Sequence, residues 1–215
     1  DYRDGIGNGI AGLRIGVPRE QFFGLLDPEV RVAVEQAIEL LRGLGASVSD
    51  VNSGYAREDV MKAWMVCNAE GQAHHAAWLK NQRADYSSEL LEVLSIPLPS
   101  ATGLADAYRA SYDVKERLRR VLEEVDLLVT PTTMRAASRI GEESVDVDGV
   151  SLTPGGAFAS LTMPINIGGL PAISLPCGFT AEGLPIGLQI AGRPFDEATV
   201  LRAARAYEQA TDWHL

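Results

Sequence analysis

Cys67, Glu70 and His74 stand at i, i+3 and i+7, a spacing that sets a thiol, a carboxylate and an imidazole on one face of a helix. Those are the groups of a nucleophile, an orienting acid and a base. Helical spacing alone produces such triplets often, so the simpler reading is packing, with Cys67 as a small core residue and Glu70 paired locally with His74. A metal would need more ligands, and the next imidazole, His75, sits about 100° further around the helix. A second cluster, Glu142, Glu143, Asp146 and Asp148, suggests calcium or paired-carboxylate work. Strand-like alternation puts Asp146 and Asp148 on one solvated face, however, and the terminal glutamate of an EF-hand is missing. Gly7, Gly9 and Gly12 match G-x-G-x-x-G. A dinucleotide fingerprint follows a strand and opens a helix, whereas this one precedes a strand, so it reads as a glycine-rich approach to that strand. There is no G-x-S-x-G elbow for Ser-His-Asp chemistry, and the chain has only three histidines.

The elements that would position these groups follow from patterning. Residues 12–17 are a short apolar run closed by Pro18, long enough for a buried strand and too short for a helix. Asp27 and Pro28 supply an N-cap and an N1 proline, and Val30, Val34, Ile38 and Leu41 recur at helical spacing until Gly43 and Gly45. Residues 46–51 alternate apolar and polar, so the opening reads strand, helix, strand, the order of a parallel crossover. Residues 57–94 lack proline and favour a long helix followed by a shorter one, ended by Pro97 and Pro99. A further helix is predicted over 104–124, with Tyr108, Tyr112, Leu118, Val121 and Leu122 available for one face, then a buried strand over 126–130 ending at Pro131. Residues 144–153 read as a hairpin about Asp148 and Gly149. Strands at 172–175 and 186–191 flank a turn at Gly183, and a helix over 196–211 buries Val200, Leu201, Ala204 and Tyr207. No repeat or linker divides the chain, so residues 1–215 read as one α/β domain.

Composition excludes several function classes. At 215 residues, 46% hydrophobic and 22% charged, the chain has the usage of a folded globular protein with a sizeable core. Its formal charge of −10 repels phosphate backbones and anionic lipid, which argues against nucleic acid and membrane partners. No window approaches 18 consecutive apolar residues and the polar start lacks the features of a signal peptide. Cys67 and Cys177 fit a reduced chain better than a disulfide framework, and a cytoplasmic location is expected.

Residues 166–214 read NIGGLPAISLPCGFTAEGLPIGLQIAGRPFDEATVLRAARAYEQATDWH, and this stretch closely resembles the amidase signature family. The segments GLRIGVPRE at 12–20, DLLVTPT at 126–132 and MPINIGGLPAISLPCG at 163–178 resemble family segments in the same order. The resemblance implies a mixed β-sheet flanked by helices, and hydrolysis or transfer at an amide through a serine, a second serine and a lysine. In the family those residues lie in the N-terminal half, within a Gly- and Ser-rich segment. Ser87 and Ser88 have no such surroundings, and Lys62, Lys80 and Lys115 all fall in helix-like sequence. The chain therefore looks like the C-terminal portion of an amidase-signature domain, with no catalytic residue, no cofactor and no metal of its own.

That portion is expected to be inactive alone, and to pair with the missing N-terminal half or with a second copy. On the family's plan the acyl pocket draws on the helix around Trp64 and Cys67, the strand end at Thr132, and the run carrying Phe158, Thr162 and Asn166. The bulk of Trp64, Met65, Phe158 and Met163 suggests an apolar or aromatic acyl group, although the same side chains would serve equally as core. In the tRNA-dependent amidotransferase branch an arginine and an aspartate grip the substrate's charged end. Here residues 90–104 hold no arginine and the aspartate's place falls at Ala159, which disfavours the amidase-like subunit of an Asp/Glu-tRNA amidotransferase. A small neutral amide is the expected substrate, and a noncatalytic binding or assembly module is the alternative from another class.

Overall fold

The computed structural model describes residues 1–213; His214, the last residue of the family-like run, lies outside the described residues. In chain order the elements are β1 (Arg14–Val17), α1 (Arg19–Phe22), α2 (Pro28–Gly43), β2 (Ser47–Asp50), α3 (Arg57–Asn81), α4 (Ser88–Val93), α5 (Ala101–Glu124) and β3 (Leu127–Pro131). The hairpin β4 (Val145–Val147) and β5 (Val150–Leu152) follows, then α6 (Pro154–Ala159), α7 (Met163–Gly168), β6 (Ala172–Phe179), β7 (Pro185–Gly192) and α8 (Glu197–Gln209). Five strands form one sheet in the order β2-β1-β3-β7-β6. β1 runs parallel to both β2 and β3, whereas β7 is antiparallel to β3 and to β6. The fold is thus α/β, as the patterning predicts, with the mixed sheet that the family resemblance implies.

Register assigns the layers, because residues paired across strands share a face. Gly178 pairs with Ile186, and a Cβ on Gly178 would sit 3.1 Å from Ala33 of α2. A Cβ on Gly192, on the same face of β7, would meet Val200 of α8 at 2.6 Å. Hence α2 and α8 cover one face. On the other face the buried Gln189 donates to Thr130 Oγ1 (2.9 Å) and to the Leu161 carbonyl (3.3 Å), which anchors the segment between α6 and α7. α7 in turn packs on α5 and α3, with Gly168 tight against Leu118. The core gathers Ile15, Val17, Leu41, Leu118, Leu128 and Ile190, all at most 1% exposed.

Gly192 lacks a side chain because α8 crosses directly above it. Gly192→Ala is expected to lower stability by about 1–3 kcal/mol through overpacking. Urea unfolding checks this: Val200→Ala in the same chain should recover most of the loss, and independent, additive effects would refute the contact.

Local chemistry sets the boundaries. Asp27 accepts a hydrogen bond from the Glu29 amide at 2.9 Å and Pro28 opens α2, as their order predicts. α5 begins at Ala101, three residues before the expected start, because Ser100 Oγ caps the Gly103 amide at 3.1 Å. The turn between β4 and β5 places Asp148 at φ +50° and Gly149 at φ +79°, the left-handed pair that a tight hairpin requires. The expected pair of strands around Gly183 is longer on both sides, and a bulge between Pro176 and Gly178 carries the buried Cys177. No described helix is long and apolar enough to cross a membrane.

Candidate functional site

Three strands, β1, β2 and β3, run in the same direction, so the segments leaving their C-terminal ends converge on one edge of the sheet. Open sheets of this kind bind ligands outside the carboxyl ends of their parallel strands. The converging segments are residues 20–25 after β1, 55–61 after β2, and Met134 after β3. Together with residues 160–164 they enclose a cavity of about 310 Å³. Its walls are largely apolar, including Phe22, Leu25, Met61, Met134, Leu161 and Met163.

A few polar groups are set into this lining. Tyr55 is 5% exposed. Burial pushes its phenol well above the ordinary range, with the neighbouring Ser53 hydroxyl offsetting part of the effect. Tyr55 Oη and Ser53 Oγ lie close together short of full hydrogen-bond geometry, and neither has another partner. Gln21 donates from Nε2 to Asn52 Oδ1 at 3.1 Å, which fixes its amide and leaves Oε1 buried without a donor. Asn52 is itself held, donating to Glu20 Oε2 at 2.6 Å and accepting from the Gly54 amide at 2.7 Å. Arg57, at the start of α3, reaches Ser160 Oγ at 3.4 Å. Glu20 and Arg57, both exposed, give the lining one charge of each sign.

None of the six residues expected from sequence is in the wall of this cavity. Thr132 is half-buried just beyond β3, and its hydroxyl shares a 2.7 Å hydrogen bond with Ser174 of β6. Gly187 of β7 lies between them, where a Cβ would fall within 2.9 Å of both oxygens. Phe158 and Thr162 are half-buried and flank the wall residues Ser160 and Leu161; Thr162 Oγ1 donates to the Ala159 carbonyl at 3.1 Å. Asn166 is exposed on α7, its amide donating to the Thr162 carbonyl at 3.0 Å. Trp64 is half-buried and packs against the core, and Cys67 is exposed one turn further along α3. α3 packs against α7, the helix that carries Asn166. Gln21 and Tyr55 carry no motif and escape a reading of the sequence; only their position just after the first two strands marks them there.

The other clusters resolve into local structure. Cys67 is not a core residue, because the buried stripe of α3 runs through Val60, Ala63, Val66 and Asn68 and leaves Cys67 outside it. Partial burial and the Glu70 carboxylate raise its thiol pKa, the opposite of nucleophile activation. Glu70 accepts from the Tyr108 hydroxyl at 3.3 Å and does not bond His74, whose ring stands edge-on to Trp78 at 4.9 Å. Asp146 and Asp148 are exposed, and Asp146 Oδ1 accepts from the Gly149 amide at 3.1 Å to close the hairpin turn. Among the described residues no group of three or more His, Cys, Asp or Glu is placed to hold a metal.

A mixed sheet between helical layers, with a small apolar cavity at the ends of its parallel strands, defines an α/β architecture. A family model described as Amidase matches residues 2–201, and the chain belongs to the amidase signature family. It is 35% identical over 221 residues to an amidase of Pseudomonas putida, covering 99% of this chain and 46% of that protein. A glutamyl-tRNA(Gln) amidotransferase subunit of Geobacter metallireducens is 33% identical over 239 residues, covering 100% and 48% respectively. Among solved structures, one described as a vestigial protein complex bearing on the evolutionary origins of an s-triazine catabolic enzyme aligns with a TM-score of 0.86. Its identity is 27%, with coverage of 96% of this chain and 45% of that one. The chain thus spans about half the length of the relatives it matches.

Proposed function

We propose that this chain is the substrate-side portion of an amide hydrolase that converts a carboxamide to a carboxylate and ammonia, with the nucleophilic serine outside the chain. The family match over residues 2–201 carries the reading, combined with coverage of only 46% of the Pseudomonas putida amidase. In this reading a serine oxygen supplied by the other portion attacks the amide carbon. The C–N bond breaks as nitrogen leaves protonated as ammonia, and water then hydrolyses the acyl ester to carboxylate. The chain's own part in this reading is to line the acyl side of the completed site with Trp64, Cys67, Thr132, Phe158, Thr162 and Asn166. The substrate is a small neutral amide with an apolar or aromatic acyl group. No cofactor enters this scheme.

The amidase-like subunit of a glutamyl-tRNA(Gln) amidotransferase is the second reading, favoured by the relatives of that name. Ala159 and the absence of arginine in residues 90–104 stand against it. The proposal is tested by ammonia release from aliphatic and aromatic amides, using the purified chain at high concentration with a serine-reactive inhibitor as control. No turnover is expected. Saturable turnover abolished by the inhibitor would place a nucleophile within these 215 residues and overturn the assignment.

A further inference from the structure

Asn8 and Gly9 form the one Asn-Gly step in the sequence, within the glycine-rich approach to β1. An asparagine in this position can react with its own backbone. The amide nitrogen of the following residue must reach the side-chain carbonyl carbon, and glycine has no Cβ to hinder that approach. The fold leaves this step open. Asn8 is exposed and lies outside any helix or strand. Among the described residues neither its side chain nor the Gly9 amide has a hydrogen-bond partner. A Cβ built on Gly9 would meet nothing within 4 Å, and the residue stands at φ +65°, so the turn itself favours glycine next to Asn8. Immediately beyond, the chain is held. The Gly9 carbonyl accepts from Arg202 Nε of α8, Ile10 is 1% exposed, and the Gly12 amide donates to the Gly45 carbonyl at 3.0 Å.

The other asparagines are closed to the same chemistry. Asn52 is bonded through both atoms of its side-chain amide. Asn68 and Asn166 lie within α3 and α7, and Asn81 ends α3, where the Gln82 amide is tied to the Trp78 carbonyl at 2.7 Å. At Asp148 the following Gly149 amide is engaged by Asp146 Oδ1 at 3.1 Å.

We infer that Asn8 is a site of spontaneous deamidation in the folded chain. The Gly9 nitrogen gives its proton to a solvent base and attacks Asn8 Cγ. A C–N bond forms there, and the bond from Cγ to Nδ2 breaks as that nitrogen takes a proton and leaves as ammonia. Water then opens the resulting succinimide at one of its two carbonyls. Breaking the bond between Cγ and the Gly9 nitrogen gives aspartate, whereas breaking the bond from the backbone carbonyl carbon gives isoaspartate, whose main chain runs through Cβ. The net change consumes one water and releases one ammonia, with no oxidation or reduction. Either product adds a negative charge to a chain of net charge −10, one residue before the carbonyl that Arg202 holds. The step is stoichiometric and needs no added amide, which separates it from the proposed activity.

The experiment incubates the folded 215-residue chain at pH 8 and pH 6, digests samples briefly with trypsin, and follows the peptide of residues 4–14, DGIGNGIAGLR, by mass. Replacement of the side-chain NH2 by OH marks deamidation, and isomerisation at Asp4 leaves the mass unchanged, so the gain reports Asn8 alone. An isoaspartyl methyltransferase with labelled S-adenosylmethionine reads the isoaspartate. The rate in the folded chain should fall within fivefold of that in the same synthetic peptide. It should exceed the rates at Asn52, Asn68, Asn81 and Asn166 at least tenfold, and should be at least fivefold higher at pH 8 than at pH 6, because the attacking nitrogen must lose a proton. Asn8→Gln, a change at an exposed position, should abolish the mass gain over the same period and remove most of the methyl acceptance. Protection beyond fivefold relative to the free peptide, a smaller margin over the other asparagines, a rate independent of pH, or methyl acceptance undiminished in Asn8→Gln would each overturn the inference.

Discussion

Joined to the complementary portion of an amidase, this chain is expected to gain ammonia release by at least about 10⁴-fold over the chain alone, the scale on which removal of a nucleophile and its base acts. On the proposed function this half supplies binding surface, and binding without a nucleophile or oxyanion donors leaves the barrier almost untouched. The geometry explains why joining the parts should work. β6 forms one edge of the sheet, eight residues long, and its outer side has no partner strand among the described residues. Ala172, Ser174 and Phe179 on that strand are exposed. Such an edge is a template for another strand, either from the remaining fold or from a second copy of this chain. The measurement is ammonia release from the amide panel after co-expression with the remaining portion of the Pseudomonas putida relative. If a folded, joined complex is silent toward the whole panel, the noncatalytic module becomes the better account.

What the sequence made legible was what local chemistry decides. Asp27 before Pro28 marked the start of α2, and Asp148 with Gly149 marked the hairpin, since in each case the residue type and the backbone conformation nearly imply one another. α6 also carried such a signal, Thr153 capping Gly156 ahead of Pro154, but six glycine- and alanine-rich residues have no apolar period to read. The Cys67 spacing was real while its face was not. Helical periodicity fixes which residues share a side, and only the packing of α3 on α5 and α7 decides which side is buried. The cavity was hidden for a stronger reason. Gln21 and Tyr55 come to line one cavity because β1 and β2 are adjacent parallel strands, and strand order is a tertiary fact that no single segment carries.

Asp126→Asn should destabilise the chain by about 1–3 kcal/mol at neutral pH, and the penalty should fade in acid. Asp126 sits at the mouth of β3 with both oxygens engaged. Oδ2 accepts from the Arg14 amide at 2.9 Å, and Oδ1 accepts from Arg14 Nη2 and Arg193 Nη2, each at 2.8 Å. Arg193 also caps the end of α5, donating to the carbonyls of Leu122 at 2.7 Å and Val125 at 2.8 Å. One carboxylate therefore ties β1, the end of α5 and the segment after β7. The arginine hydrogen bonds, Arg14 foremost, hold its pKa well below the usual carboxylate range although burial pulls the other way. A depressed folded pKa means that the native state binds fewer protons than the unfolded chain. The stabilisation is complete above the unfolded value of about 3.9 and is lost as pH falls below it. Arg14 remains 49% exposed, so solvent screening keeps the effect at the modest end. Urea unfolding of both proteins at pH 7, 5 and 3 reads the difference directly: it should be constant from pH 7 to 5 and shrink at pH 3. A difference that stays the same at all three would mean that the penalty comes from replacing an accepting oxygen by an NH2 group and that the charge on Asp126 contributes nothing to holding β3 in place.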